Sequence, residues 1–159
     1  MEISPEDQKR YEELQILALG FARQGKTQDL KLMLEAGMSA NLSDHKGNTL
    51  LMLASYNGNL ETTKMLVDLK VEIDRKNDKG QTPLAGVCFK GYLDIAKVLV
   101  ENGANMYENN GMGTTPIVFA SMFGNTKIVE YLNSKDKNRS FKSKLYLLFS
   151  KLIRIFRKK

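Results

Sequence analysis

The chain has no tryptophan, one cysteine, one histidine and only three prolines among 159 residues. A lone Cys88 permits no internal disulfide, and with His45 as its only companion no Cys/His zinc set can be assembled, so neither metal nor crosslink is expected. Long apolar runs are missing as well. Runs such as Leu145 to Phe149 fall far short of the ~20 residues a membrane-spanning helix needs. The opening Met1-Glu2-Ile3-Ser4-Pro5-Glu6-Asp7 is acidic and lacks the basic-then-apolar pattern of a secretory signal, so a cytoplasmic location is expected. Acidic residues are scarce in one region. Residues 135–159 hold ten basic side chains against Asp136 alone, whereas residues 1–134 hold fourteen against seventeen. The overall +6 is therefore a mildly acidic body joined to a strongly basic tail, and not an even basic surface.

What the sequence does contain is a period. Gly25, Gly58, Gly91 and Gly124 recur every 33 residues, as do Gly47, Gly80 and Gly113, with the turn formers Asp44, Asn77 and Asn110 three positions before that second set. Cutting at this period gives units 15–47, 48–80, 81–113 and 114–135. In each, an apolar stretch such as Leu50 to Ala54 runs to the first glycine. A second follows at helical spacing, such as Ile95, Val98 and Leu99, and a polar loop closes the unit. Each unit therefore reads as helix, glycine turn, helix, projecting loop.

The third unit opens Gly80-Gln81-Thr82-Pro83-Leu84 and ends its second helix with Glu101-Asn102-Gly103-Ala104-Asn105; the fourth keeps Thr115-Pro116-Ile117 and the second keeps Thr49. In these features the chain resembles the ankyrin-repeat family over about residues 15–135. The resemblance implies an all-α solenoid of about four helix-turn-helix-loop units. The family's signature histidine is replaced by Leu19, Met52, Ala85 and Val118, which removes its usual hydrogen bond to the loop. Proline in the first turn loses no needed N–H, and the threonine before it can cap the orphan amides. Ser4-Pro5-Glu6-Asp7 reads the same way, so residues 1–14 form an N-terminal helix extension that caps the stack.

No catalytic constellation is found. Gly25-Lys26-Thr27 imitates the end of a phosphate loop, but no strand precedes it and its glycine belongs to the repeat column. Cys88 shares a column with Ala22, Ser55 and Ser121, a small-residue packing position, and His45 lies on a loop. The chain reads as a binder and not an enzyme. The resemblance implies a protein partner on the concave face of first helices and loop tips. There the two residues before each glycine supply Arg23, Tyr56, Asn57, Phe89, Lys90, Met122 and Phe123, with Tyr56, Phe89 and Met122 expected side by side. The loop tips add His45, Lys46, Arg75, Lys76, Lys79, Glu108 and Met112. The chain is also similar, in size and in its lack of catalytic groups, to short bacterial ankyrin proteins that accompany a catalase and help it acquire haem. That likeness implies a haem cofactor, with Tyr56 and His45 as the candidate ligands.

The tail, 136–159, opens with a polar linker and continues from Phe141 as a basic amphipathic helix of about five turns. On a helical wheel Phe141, Leu145, Tyr146, Leu148, Phe149, Leu152, Ile153, Ile155 and Phe156 fill one half. Lys144, Ser150, Lys151, Arg154, Arg157 and Lys158 fill the other, with Leu147 out of place. Three readings stay open: a cap laying its apolar face on the last repeat, an anchor on an anionic membrane surface, and a ligand helix for a partner's groove. No motif that reads nucleic acid accompanies the charge.

Overall fold

A computed structural model describes residues 4–111, 113–136 and 141–157. Met112, the linker residues 137–140 and the two final lysines lie outside the described residues, as does the Phe141 side chain. The described residues form nine helices, α1 (Pro5–Gln24), α2 (Thr27–Glu35), α3 (Leu50–Tyr56), α4 (Leu60–Asp68), α5 (Pro83–Lys90), α6 (Leu93–Glu101), α7 (Pro116–Met122), α8 (Thr126–Lys135) and α9 (Phe141–Arg157). The first helices α1, α3, α5 and α7 pack in one row, and the second helices α2, α4, α6 and α8 in another. This is the helical solenoid that the period implies.

The core repeats with the sequence. Leu66, Leu99 and Leu132 are buried in one column of the second helices, and Leu30, Thr63, Ala96 and Val129 in the next. Each fully buried leucine is worth roughly 1.5–3 kcal/mol against exposure, and no unit could bury one without its neighbour. Cys88 is fully buried in its small-residue column, and burial pushes its thiol far above the ordinary range. It is a packing residue, inert as a nucleophile.

Local chemistry sets where each helix starts and stops. Ser4 Oγ accepts from the Asp7 amide at 3.1 Å and donates to the Asp7 carboxylate at 2.6 Å, which closes the first turn of α1. Thr49 and Thr82 cap α3 and α5 by accepting from Met52 and Ala85. Thr115 stands at the same place before α7 but makes no side-chain cap bond. Gly91 ends α5 in the left-handed conformation at φ +88°, its N–H bonded to the Val87 carbonyl. In the polar loops, Asp44 Oδ1 accepts from the amides of Lys46 and Asn48, and Asn77 repeats the pattern on Lys79 and Gln81. Burial works against the Asp44 charge, but these bonds and one from the Asn48 side chain outweigh it and hold its carboxyl below the usual range. In the next loop the pattern slips by one residue. Asn109 accepts from Gly111 and Gly113, and Asn110 turns back to accept from the Thr82 amide at 2.8 Å.

The seams between first helices are closed at their glycine ends. Asn59 donates to the Ala22 and Arg23 carbonyls across the α1–α3 seam, and Asn125 donates to those of Cys88 and Phe89 across α5–α7. At the seam between α3 and α5 the equivalent residue is Tyr92, which lays its ring against Gly58.

Two parts differ from the plain repeat. Helix α1 runs unbroken through residues 14 and 15, and its stretch up to Leu14 is exposed. Helix α9 closes the other end of the stack on both α7 and α8. The cap reading put its apolar half-wheel against the last repeat, and the structure corrects this. Helix α9 seats by a thin edge of Ser143, Tyr146, Leu147, Ser150 and Ile153, with Ser150 fully buried and its hydroxyl 3.4 Å from that of Thr126. The backbone at Arg154 comes so close that a Cβ on Gly124 would stand 3.0 Å from its nitrogen. A small residue permits this approach where a leucine would not. Leu147, out of place on the wheel, packs against the core.

Candidate partner-binding groove

Helices α3 and α5 end side by side, and their last turns bring Tyr56 and Phe89 together. The rings are nearly parallel, 6° apart in plane and 6.2 Å apart at their centroids. Phe123 meets Phe89 edge-on at 4.4 Å. Such ring pairs are worth about 0.5–1.5 kcal/mol beyond the area they bury. Lys90 holds its ammonium 5.2 Å from the Tyr56 centroid, a cation–π distance. Tyr56 and Phe89 stay 43% and 37% exposed, because they line an open groove of about 760 Å³ between the first helices and the loop tips.

The groove's floor comes from Met52, Leu53, Gly86 and Phe119, and its rim from Arg23, Lys46, Lys79 and Asp78. Gly86 sits inside α5, where glycine costs roughly 1 kcal/mol relative to alanine. The geometry gives a reason for it. A Cβ there would lie 3.1 Å from Tyr56 Cδ2, so the missing side chain makes room for the ring.

Of the residues expected on this face, Arg23, Tyr56, Asn57 and Phe89 line the groove. Lys90, Met122 and Phe123 line a smaller neighbouring hollow of about 400 Å³, together with Phe89, Ile153 and Arg157. Side-by-side packing of Tyr56, Phe89 and Met122 holds for the first two. The third ring in the row is Phe123, and Met122 is half exposed beside it. The loop cations divide by role. Arg75 donates to the Asn41 carbonyl at 3.0 Å, and Lys76 pairs with Glu108 at 2.7 Å, holding that carboxyl below its ordinary range; Lys46 and Lys79 reach the groove. His45 is exposed and does not line the groove, although its neighbour Lys46 does.

Gly86 and Phe119 escaped the sequence reading, although a signal existed. They share a 33-residue column with Leu53, and a glycine between leucine and phenylalanine in that column marks a gap in the floor. Tail residues Lys144, Phe149, Lys151, Arg154 and Phe156 are all exposed on α9, away from the groove. Arg157 donates to the Phe123 carbonyl at 3.0 Å and ties the tail to the last first helix. Among the described residues, no group of three or more His, Cys, Asp or Glu side chains could hold a metal ion, and no helix is long and apolar enough to cross a membrane.

Repeat length, paired helices and capped first turns define a class that the family comparison matches. The model for ankyrin repeats in three copies fits residues 16–110 and 69–143, and the chain belongs to the ankyrin-repeat family. Ankyrin repeats generally mediate protein–protein interaction and are typically non-enzymatic. The chain is similar to ankyrin repeat protein PA3287 of Pseudomonas aeruginosa, with 54% identity over 41 residues. That match spans 26% of this chain and 24% of the relative, so it covers about a quarter of either protein.

Proposed function

We propose that this protein is an adaptor that holds a segment of another protein in the groove between α3 and α5. The observation that carries the reading is the half-open Tyr56–Phe89 ring pair over the Gly86 gap. Rings that are rigid, partly desolvated and set in a concavity are what interface anchors require. The rim favours a partner segment with acidic residues beside an apolar one, since Arg23, Lys46 and Lys79 face Asp78 alone. The test is affinity capture from the source organism with wild type, Tyr56→Ala and Phe89→Ala, with circular dichroism as a check of folding. The expected result is a partner kept by wild type and lost by both variants. Equal retention by folded variants would overturn the reading.

Haem carriage to a catalase-like enzyme draws on the same ring. A tyrosinate can hold ferric haem iron, and Tyr56 stands beside Met52, Leu53 and Phe89 in a groove whose cationic rim suits the carboxylates of a porphyrin. Tyr56 would supply the ligand and the rim would orient the ring; bound haem would bring its own redox chemistry. Titration with hemin should give a saturable Soret change that Tyr56→Phe abolishes. A flat titration, or one unchanged by the substitution, would sink this second reading.

A further inference from the structure

The thin-edge seating of α9 leaves its most apolar side facing outward. Leu145, Leu148, Phe149, Leu152, Ile155 and Phe156 are between 43% and 68% exposed. On a wheel they fill an arc of about 120° opposite Ser150, in a stripe about 17 Å long. The end unit of a solenoid ordinarily shows a polar outer face to water. This one shows a continuous apolar stripe. Lys144 and Lys151 run along one edge of it, and α9 carries five basic residues and no acidic one.

We propose that the outer face of α9 docks on a lipid bilayer containing anionic headgroups, with the six apolar side chains in the interface and the lysines against phosphate. Charge and shape select this occupant. A second copy meeting the stripe face to face would bring two tails together, each with ten basic side chains against one acidic in residues 135–159, so self-association is opposed. A partner's groove would take the same apolar face, so charge decides between the two: Lys144 and Lys151 border the stripe and α9 carries no acidic residue, which suits an anionic surface. A flat anionic surface needs only the side that is free. Apolar burial combined with electrostatic attraction is how a helix lies in the plane of a membrane interface. The proposal is independent of the α3–α5 groove, which lies on other helices.

The test is vesicle flotation of the full chain on phosphatidylcholine with and without about one third phosphatidylglycerol, a composition that supplies the anionic surface required. Wild type is expected to float with the anionic vesicles and to be released at high salt. The double variant Leu148→Glu with Phe156→Glu should lose at least tenfold in partitioning while keeping its melting temperature, since both side chains are exposed. The proposal is overturned if anionic vesicles leave wild type in solution, or if they hold the double variant equally well. It is also overturned if light scattering shows wild type as a dimer that the variant dissolves, or if an RNA oligonucleotide competes the vesicles away.

Discussion

A single methyl group separates two kinds of glycine in this chain. Gly80 and Gly91 are both left-handed, at φ +73° and +88°, yet a Cβ at Gly80 would meet open space while one at Gly91 would lie 2.6 Å from Asn125 Oδ1. Gly80→Ala should therefore cost the backbone strain alone, about 1–2 kcal/mol. Gly91→Ala should cost that and also displace the Asn125 bonds to Cys88 and Phe89, for a total roughly 1–3 kcal/mol larger. Urea denaturation of both variants checks the difference, and equal losses would show that the Asn125 clamp adds nothing. Asp74 gives a pH-dependent case. Burial, with the Glu108 charge, raises its pKa, against the Asn105 amide that its carboxylate accepts from. A raised carboxyl contributes stability that is full below its unfolded range and is lost as pH climbs through the folded value. Asp74→Asn carries no charge, so its melting temperature relative to wild type should rise between about pH 3 and about pH 7. A difference that stays flat across that interval would contradict the assignment.

At the scale of the element, α9 shows what a helical wheel can and cannot tell. The wheel identified an amphipathic helix, and the helix is there. Which side seats on the repeats was decided by something the wheel does not measure, the depth of approach that Ser150 and Gly124 permit. Ser150→Leu should thus lower stability by about 1–3 kcal/mol through overpacking, although it makes the helix more apolar. Leu148→Gln, on the exposed stripe, should stay within about 0.5 kcal/mol. Thermal melts of the two variants decide the orientation, and the reverse order would restore the apolar half-wheel as the buried face. The repeats themselves were legible because three independent columns fell in register. Within them, Tyr56 and Phe89 could be read as neighbours from their shared column, whereas the turn of Phe123 toward Phe89 depends on local packing and left no mark in the spacing. The slip from Asn110 to Asn109 in the last loop was hidden for the same reason: either residue can organise a turn.

Over the whole molecule, stability follows the neighbours each helix has. Helices α3 to α8 each pack between two neighbours, with α5 and α6 midway along the stack, while α1 as far as Leu14 is exposed. Native-state hydrogen exchange should find the slowest amides in α5 and α6 and the fastest helical ones at the start of α1, because local opening costs least where fewest apolar contacts must break. Uniform protection along α1 would contradict this. The Tyr92 seam has a mechanical consequence. At the loop end of the α3–α5 seam, the Asp78 amide donates to the Lys46 carbonyl and Asn77 donates to Asn48, so that end is pinned. At the glycine end, where the seams on either side are tied by asparagines, this one is closed by a ring resting on Gly58. Tilting α3 from α5 there costs ring packing and spares the asparagine ties. Tyr56 and Phe89 stand on those two helices, one on each side of a seam that the loop pins at its other end.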